Sequence, residues 1–271
     1  VESFASGLNR NVKEFMLLAI DIGNTNIKLG VYHQNDLVHH WRIVTERCKL
    51  ADEYAVLVHN FFTMAGLSPA DIKGCVLSCV VPPLNSQFAE LARNYLKVAP
   101  IIVSPDVATG LHYCVEAPQE IGSDRIANCL AAYDEYGGPV IVVAFGTATV
   151  FDVITAEGCY IGGAIAPGIG ISAEALFRSA ARLYQVELVR PSRVIATNTI
   201  EHIQSGLILG YTGLVEGLVT RMHHELEYQC PVVATGGLAE VIAAETPAIT
   251  EVKPYLTLEG LRLIYERNYH A

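Results

Sequence analysis

The strongest constraint in this chain is a short unit that occurs twice. Leu17–Ile20 and Ile27–Tyr32 read as apolar strands joined by the polar turn Asp21-Ile22-Gly23-Asn24-Thr25-Asn26. A shift of 123 residues carries Leu17–Ile20 onto Val140–Val143 and Asp21-x-Gly23 onto Ala144-x-Gly146. A strand–turn–strand unit repeated at that distance in 271 residues predicts two similar α/β halves. Such halves face each other across a cleft, where ligands favour binding.

The rest of the chain fits this division. Leu37–Val44 reads as a third strand, Ala51–Ala65 and Leu84–Lys97 as helices, and Gly74–Val80 and Ile101–Val103 as strands. Ser123 or Asp124 is expected to cap a helix through Ile126–Tyr136. Gly137-Gly138-Pro139 then punctuates the chain and sets the expected boundary between a first half, 16–137, and a second half, 138–271. Residues 1–15 read as an extension, without the basic start and long apolar stretch of a signal peptide.

Composition narrows the function. Hydrophobic residues make up 51% of the chain and charged residues 17%, against about 25% charged in a typical globular protein. Global disorder is therefore excluded. The formal net charge of −10 argues against a nucleic-acid partner. It leaves room for a small anion held by a few local donors. No apolar run reaches the roughly 20 residues of a membrane helix. The seven cysteines include no C-x-x-C, and the expectation is buried free thiols in a reducing cytoplasm, with a redox pair of Cys75 and Cys79 on one face of a strand as the lesser alternative. The nine histidines show no metal-ligand spacing, and Trp41 reads as structural.

Three loops carry candidate chemistry. In the first, the N–H groups with the Asn24 and Thr25 side chains can cradle phosphate oxygens. Asp21 can orient Mg²⁺ through its waters, and Lys28 adds a positive charge. A tight hairpin with Asx-type hydrogen bonds reads the same residues equally well. The second loop, Ala144-Phe145-Gly146-Thr147-Ala148-Thr149, offers Thr147 and backbone N–H groups to a further phosphate. The third, Thr235-Gly236-Gly237, follows the strand Pro231–Ala234 and opens the helix Leu238–Ala244. Its glycines can form a flat wall for a base or ribose, and a plain turn is the alternative for each loop. Gly122-Ser123-Asp124-Arg125 sets a carboxylate beside a guanidinium. Asp124 can accept a hydroxyl proton in phosphoryl transfer, and Arg125 can hold a carboxylate in a bidentate contact. A helix cap with a surface ion pair is the alternative.

Asp21-Ile22-Gly23-Asn24-Thr25, Gly122-Ser123-Asp124-Arg125, Phe145-Gly146-Thr147-Ala148-Thr149, Gly162-Gly163-Ala164-Ile165-Ala166-Pro167-Gly168, Gln204-Ser205-Gly206 and Thr235-Gly236-Gly237 occur in one order and spacing. On these motifs residues 16–268 resemble the type III pantothenate kinases, the family that includes the Bvg accessory factor proteins. The resemblance implies the actin-like fold of acetate and sugar kinases, with two ribonuclease-H-like halves around a cleft. It implies ATP-dependent phosphorylation of pantothenate to 4′-phosphopantothenate, the first step of coenzyme A synthesis, in the cytoplasm and with Mg²⁺. It assigns the base to Asp124 and substrate contact to Gly122, Ser123, Asp124 and Arg125, with Tyr113 lining the pocket. Thr199 is implied to reach the substrate of a neighbouring subunit in a homodimer. ATP contacts fall on Asp21, Ile22, Gly23, Asn24, Thr25, Asn26, Ile27 and Lys28, and on Thr147, Gly236 and Gly237.

One departure stands out. Ala144 occupies the place of the family's aspartate that helps hold a monovalent cation, K⁺ or NH₄⁺. Ala117 and Lys253 depart from the pattern in smaller ways, at positions where the family often has Asn and Asp. A catalytically impaired homologue with a nucleotide-binding or regulatory role is therefore the alternative to an active kinase.

Thr199–Met222 reads as one long helix with Gly206, Gly210, Gly213 and Gly217 on one face. Each glycine costs a helix up to about 1 kcal/mol relative to alanine. Four together point to close approach of another backbone, within the subunit or across the dimer that the resemblance implies.

Overall fold

The computed structural model describes residues 15–180 and 182–269. The expected extension, but for its last residue, lies outside them. The chain forms two compact units, one running to Val103 with Asn268 and Tyr269, the other Ser104–Arg267. Gly137-Gly138-Pro139 falls inside the second.

The first unit is a sheet with two helices. Its elements are β1 (Met16–Ile22), β2 (Asn26–His33), β3 (Asp36–Val44), α1 (Ala51–Ala65), β4 (Ile72–Cys79), α2 (Pro82–Asn94) and β5 (Pro100–Ile102). The strand order is β3-β2-β1-β4-β5. β1 pairs antiparallel with β2 and parallel with β4, and β4 pairs parallel with β5. The central β1 is almost wholly buried, as its unbroken apolar run requires, whereas edge strand β3 alternates exposed and half-buried residues. α1 turns Ala51, Tyr54, Ala55, Val58 and Phe62 inward, the spacing of one helical face. Glu53 accepts a hydrogen bond from the Leu50 N–H at its start, and Gly66 ends it in the left-handed region. Trp41 stacks on Phe61 at 5.4 Å and packs against this core.

The second unit comprises β6 (His112–Tyr113), α3 (Ser123–Tyr136), β7 (Val140–Phe145), β8 (Ala148–Ile154), β9 (Cys159–Pro167), α4 (Ile169–Ser179), α5 (Thr199–Gln204), α6 (Gly210–Leu226), β10 (Val232–Gly236), α7 (Ala239–Ala243), β11 (Glu251–Val252) and α8 (Leu256–Tyr269), α8 ending in the first unit. The strand order is β11-β10-β7-β8-β9-β6. Without β6 it repeats the first sheet strand for strand, with the same parallel and antiparallel pairings. The 123-residue shift carries Asp36–Val44 onto Cys159–Pro167, the bounds of β3 and β9, so the duplication extends one strand beyond the sequence match.

Strand alternation divides the second sheet's faces. Ile141, Val143, Phe145, Phe151, Val153, Val232 and Ala234 join the core formed with α4–α7. Val142, Ala144, Val150 and Asp152 point the other way, where α3 lies.

Two expectations change. The long helix is interrupted by a π turn over Ser205–Leu209, and it continues to Leu226. The free-thiol expectation fails for one pair: Cys114 and Cys159 form a disulfide with Cα atoms 6.1 Å apart. The parallel β6–β9 pairing sets Tyr113 opposite Tyr160, which brings these flanking cysteines within bonding reach. Cys48, Cys75, Cys79, Cys129 and Cys230 are not disulfide-bonded.

Candidate active site

In the first unit the site is a tight turn. Gly23–Thr25 connect β1 to β2, and the Gly23 N–H donates to Asn26 O at 3.0 Å. Asp21 and Lys28 are opposite each other across the strand pair, and Lys28 Nζ lies 3.6 Å from Asp21 Oδ2. Asn24 and Thr25 are exposed and Asn26 is half-buried. Ile22 and Ile27 are a register pair with fully buried side chains, so they shape the turn from the core and present only backbone to it.

Two further residues hold this turn, and neither stands out in the sequence. Thr45 donates its hydroxyl to Gly23 O at 2.6 Å and its N–H to Thr25 O at 3.0 Å. Arg47 Nη2 donates to Asn24 Oδ1 at 3.2 Å, and Arg47 is exposed. The loop therefore carries two cationic side chains, Lys28 and Arg47.

In the second unit the equivalent turn is Gly146-Thr147, both exposed, closed by Gly146 N–H donating to Ala148 O at 2.9 Å. Thr147 O accepts the Gly168 N–H at 2.9 Å. At Gly236 φ is +104°, and a Cβ there would meet Phe145 O at 2.2 Å, so this glycine answers to its own sheet. Gly237 is different: its N–H donates to Phe145 O at 3.2 Å, and a Cβ there would meet nothing within 4 Å among the described residues.

The acid–guanidinium pair opens α3. The cap is Gly122, one residue before the expected Ser123 or Asp124, and Ser123 is the first, buried, helical residue. Asp124 is half-buried, and its Oδ1 accepts the Arg125 N–H at 2.9 Å. This supplies a partner to one N–H that the helix start leaves without one.

Arg125 turns toward the sheet. Its Nε donates to Asp152 Oδ1 at 3.1 Å, and its Nη2 donates to Asp152 Oδ1 and to the Tyr160 hydroxyl, each at 2.6 Å. Tyr160 in turn donates to Asp152 Oδ1 at 2.9 Å. Asp152 is fully buried. Burial lifts its carboxyl above the usual range, against the opposing pull of the Arg125 guanidinium. Burial opposes the charge on Arg125, and the Asp152 hydrogen bonds outweigh that and raise its pKa. Tyr160 is raised first by burial and then by the Asp152 charge. Tyr113 joins this cluster edge-on to Tyr160, with ring centroids 6.4 Å apart, and its hydroxyl shares a hydrogen bond with Thr109 at 3.2 Å. Asp152 and Tyr160 are absent from the sequence-derived site. A lone carboxylate in the apolar run Val150-Phe151-Asp152-Val153-Ile154 was the available signal, since a buried charge needs a partner.

Thr199 is exposed as the first residue of α5, after the cap Asn198, whose side chain accepts the Glu201 N–H at 2.9 Å. Lys253 is held by Glu135 and Glu251 and belongs to an ion-pair cluster.

The donor sets decide which ions fit. Among the described residues no group of three or more His, Cys, Asp or Glu side chains could hold a metal. Asp21 is a single carboxylate beside a tight polar turn, which suits a divalent ion whose other ligands are phosphates and waters. Ala144 sits in a row with Thr235 and Val150. The Thr235 hydroxyl is buried there without a hydrogen-bond partner, and no carboxylate completes an oxygen set. These side chains do not fit a monovalent cation.

A duplicated sheet with a polar turn after the first strand of each half, and an acid–guanidinium pair opening a helix, defines a phosphotransferase of the actin-like kinase class. Solved structures of that fold resemble the chain. An inorganic polyphosphate/ATP-glucomannokinase from Arthrobacter sp. strain KM gives a TM-score of 0.50 at 15% identity, covering 94% of this chain and 99% of its own. A Campylobacter jejuni protein described as a Baf family transcriptional activator gives 0.54 at 18% identity, covering 93% and 98%. The type III pantothenate kinase family model matches residues 17–221. The type III pantothenate kinase of Roseiflexus sp. (strain RS-1) is 69% identical over 253 residues, covering 93% of this chain and 99% of its own. The chain belongs to the type III pantothenate kinase family.

Proposed function

We propose that this chain transfers the γ-phosphoryl group of ATP to the primary hydroxyl of pantothenate, and that the Asp124–Arg125 pair is the centre of the reaction. The observation that carries this reading is the arrangement at the start of α3: a half-buried carboxylate next to a guanidinium anchored by a buried aspartate. Phosphoryl transfer needs positioning, charge neutralisation and an acceptor for the hydroxyl proton. Asp124 accepts the proton, and Arg125 contacts the substrate carboxylate. The Gly23–Thr25 turn, with Lys28 and Arg47, and the Gly146-Thr147 turn hold phosphates, and Gly237 leaves room for base or ribose. Asp21, together with the phosphates, would hold Mg²⁺, which would supply charge neutralisation to the transfer.

The enzyme acts as a homodimer in the cytoplasm. Gly206, Gly210 and Gly213 support the dimer, because a Cβ at any of them meets nothing within 4 Å among the described residues. These three glycines therefore do not serve close packing among the described residues of the subunit. Thr199 then reaches the partner's substrate.

Asp124→Asn tests the centre. Loss of a positioned general base costs about 10²–10⁴-fold in rate, so kcat falls by at least about a hundredfold while circular dichroism is unchanged. Full activity of Asp124→Asn removes the residue from this role. Ala144 favours a second reading, an impaired homologue that binds nucleotide without turnover. No ADP formation with pantothenate at any K⁺ or NH₄⁺ concentration selects it.

A further inference from the structure

Within the pantothenate-kinase reading, the Arg125 cluster determines how the substrate carboxylate is read. A guanidinium has five N–H donors in a rigid fork. Here Nε and both hydrogens of Nη2 are committed to Asp152 and Tyr160. The side-on edge, the usual bidentate face, is therefore occupied by the protein's own carboxylate. Nη1 makes no hydrogen bond among the described residues, and it is not among the buried unpartnered atoms. The Arg125 side chain keeps 17% of its surface exposed while Asp152 keeps none. The Tyr160 ring lies alongside, 5.9 Å from the guanidinium carbon to its centroid, and limits swing on that side. The bidentate substrate contact expected for Arg125 is thus not available on its Nε–Nη2 edge.

We propose that Asp152 and Tyr160 are positioning residues that fix substrate specificity by presenting only Nη1 of Arg125 to the carboxylate of pantothenate. Asp152 balances most of the guanidinium charge, so recognition depends on where Nη1 points more than on net attraction. A small rotation of the fork then matters, and the Tyr160 hydroxyl prevents it by bonding both partners of the ion pair. Neither residue touches the reacting atoms, so both act on substrate binding.

The test compares pantothenate with pantothenyl alcohol, which keeps the reacting hydroxyl and lacks the carboxylate, in the full chain and in Tyr160→Phe and Asp152→Asn. Loss of a hydrogen bond that orders a charged contact is expected to raise the pantothenate KM of Tyr160→Phe about tenfold, with kcat within about twofold. Its KM for ATP and its kinetics with pantothenyl alcohol stay at wild-type values. Asp152→Asn shifts in the same direction by more. If Asp152→Asn fails to fold, Tyr160→Phe carries the test alone. An unchanged pantothenate KM in Tyr160→Phe, or an equal rise for both substrates, overturns the proposal, the second outcome marking a merely structural role. A wild-type chain that phosphorylates neither compound overturns the kinase reading itself, a result distinct from either of these.

Discussion

Gly260→Ala tests whether the support behind the Asp124–Arg125 pair is as tight as the structure has it. Gly260 is in α8 and faces the backbone of α3, the helix that opens with Asp124 and Arg125. A Cβ at 260 would lie 1.9 Å from Ala127 O, 2.4 Å from Ala127 C and 2.8 Å from Ala127 Cα. A non-bonded carbon needs about 3.5 Å, so the two backbones must part by roughly 1.5 Å. Both helices are embedded: Leu258, Leu261 and Ile264 of α8 and Ala127, Leu130 and Ala132 of α3 are at most 1% exposed. Backbone atoms cannot rotate away as a side chain would, which puts the cost at the upper end of the overpacking range, about 3 kcal/mol. Removing a helical glycine returns up to about 1 kcal/mol. The net loss is roughly 2 kcal/mol, a fall in melting temperature of about 4–8 °C for a chain of this size. Differential scanning calorimetry measures it. Gly170→Ala is the control, because a Cβ there meets nothing within 4 Å among the described residues. It should leave the melting temperature level or slightly raised. A Gly260→Ala protein that melts at or above the wild type refutes the close approach of α8 to α3.

Gly210→Leu places a large side chain on the open glycine face and is expected to shift the protein from dimer to monomer, or to unfold it, in analytical ultracentrifugation. A stable, fully dimeric variant contradicts the assignment of that face. Arg47→Ala removes the second cation at the first loop. It is expected to raise the KM for ATP several-fold, roughly threefold to tenfold, in a way that weakens at high salt. An unchanged KM at low ionic strength shows that Arg47 only braces Asn24. Burial pushes the Cys75 thiol up from 9.0 to about 12 and raises Cys129 well above its ordinary value, while Cys48 is exposed. Iodoacetamide at pH 8 should therefore modify Cys48 and leave Cys75 and Cys129 intact in the folded protein. The sign of the stability effect follows: above pH 9 the unfolded chain ionises at Cys75 while the folded chain does not, so stability falls between about pH 9 and pH 12. Chemical denaturation as a function of pH tests this against a Cys75→Ala variant, in which the Cys75 part of the slope is absent.

What the sequence made legible is what is local. Ala51–Ala65 reads as a helix to the residue, because its apolar face and its terminal glycine both lie within one short window. The twin strand–turn–strand units are visible because the repeat preserves their apolar runs. β9 does not read as a strand although the same shift predicts it, since Gly162 and Gly163 interrupt its pattern. The candidate site was half legible for the same reason. Asp124 and Arg125 are neighbours in the chain, as are Gly146 and Thr147. Asp152 and Tyr160 are 27 and 35 residues from Arg125, and only the pairing of strands brings them to it. Arg47 reaches the first loop because β3 returns alongside β2, and Cys114 meets Cys159 because two residues of β6 pair with β9. A two-residue strand leaves almost no trace in a sequence pattern.

The position of Asp152 also bears on how a chain with a net charge of −10 handles two anionic substrates. A free Arg125 would be a general anion site, open to phosphate as readily as to a carboxylate. Paired with a buried aspartate, it keeps directed donors while losing most of its field, so a triphosphate gains little from it. Lys28 at the first loop is similarly tempered by Asp21 at 3.6 Å, but Arg47 is exposed and its hydrogen bond goes to the neutral Asn24 amide. On the proposed reading, the cationic field concentrates at the turn that would hold the phosphates, and the geometric selectivity at α3.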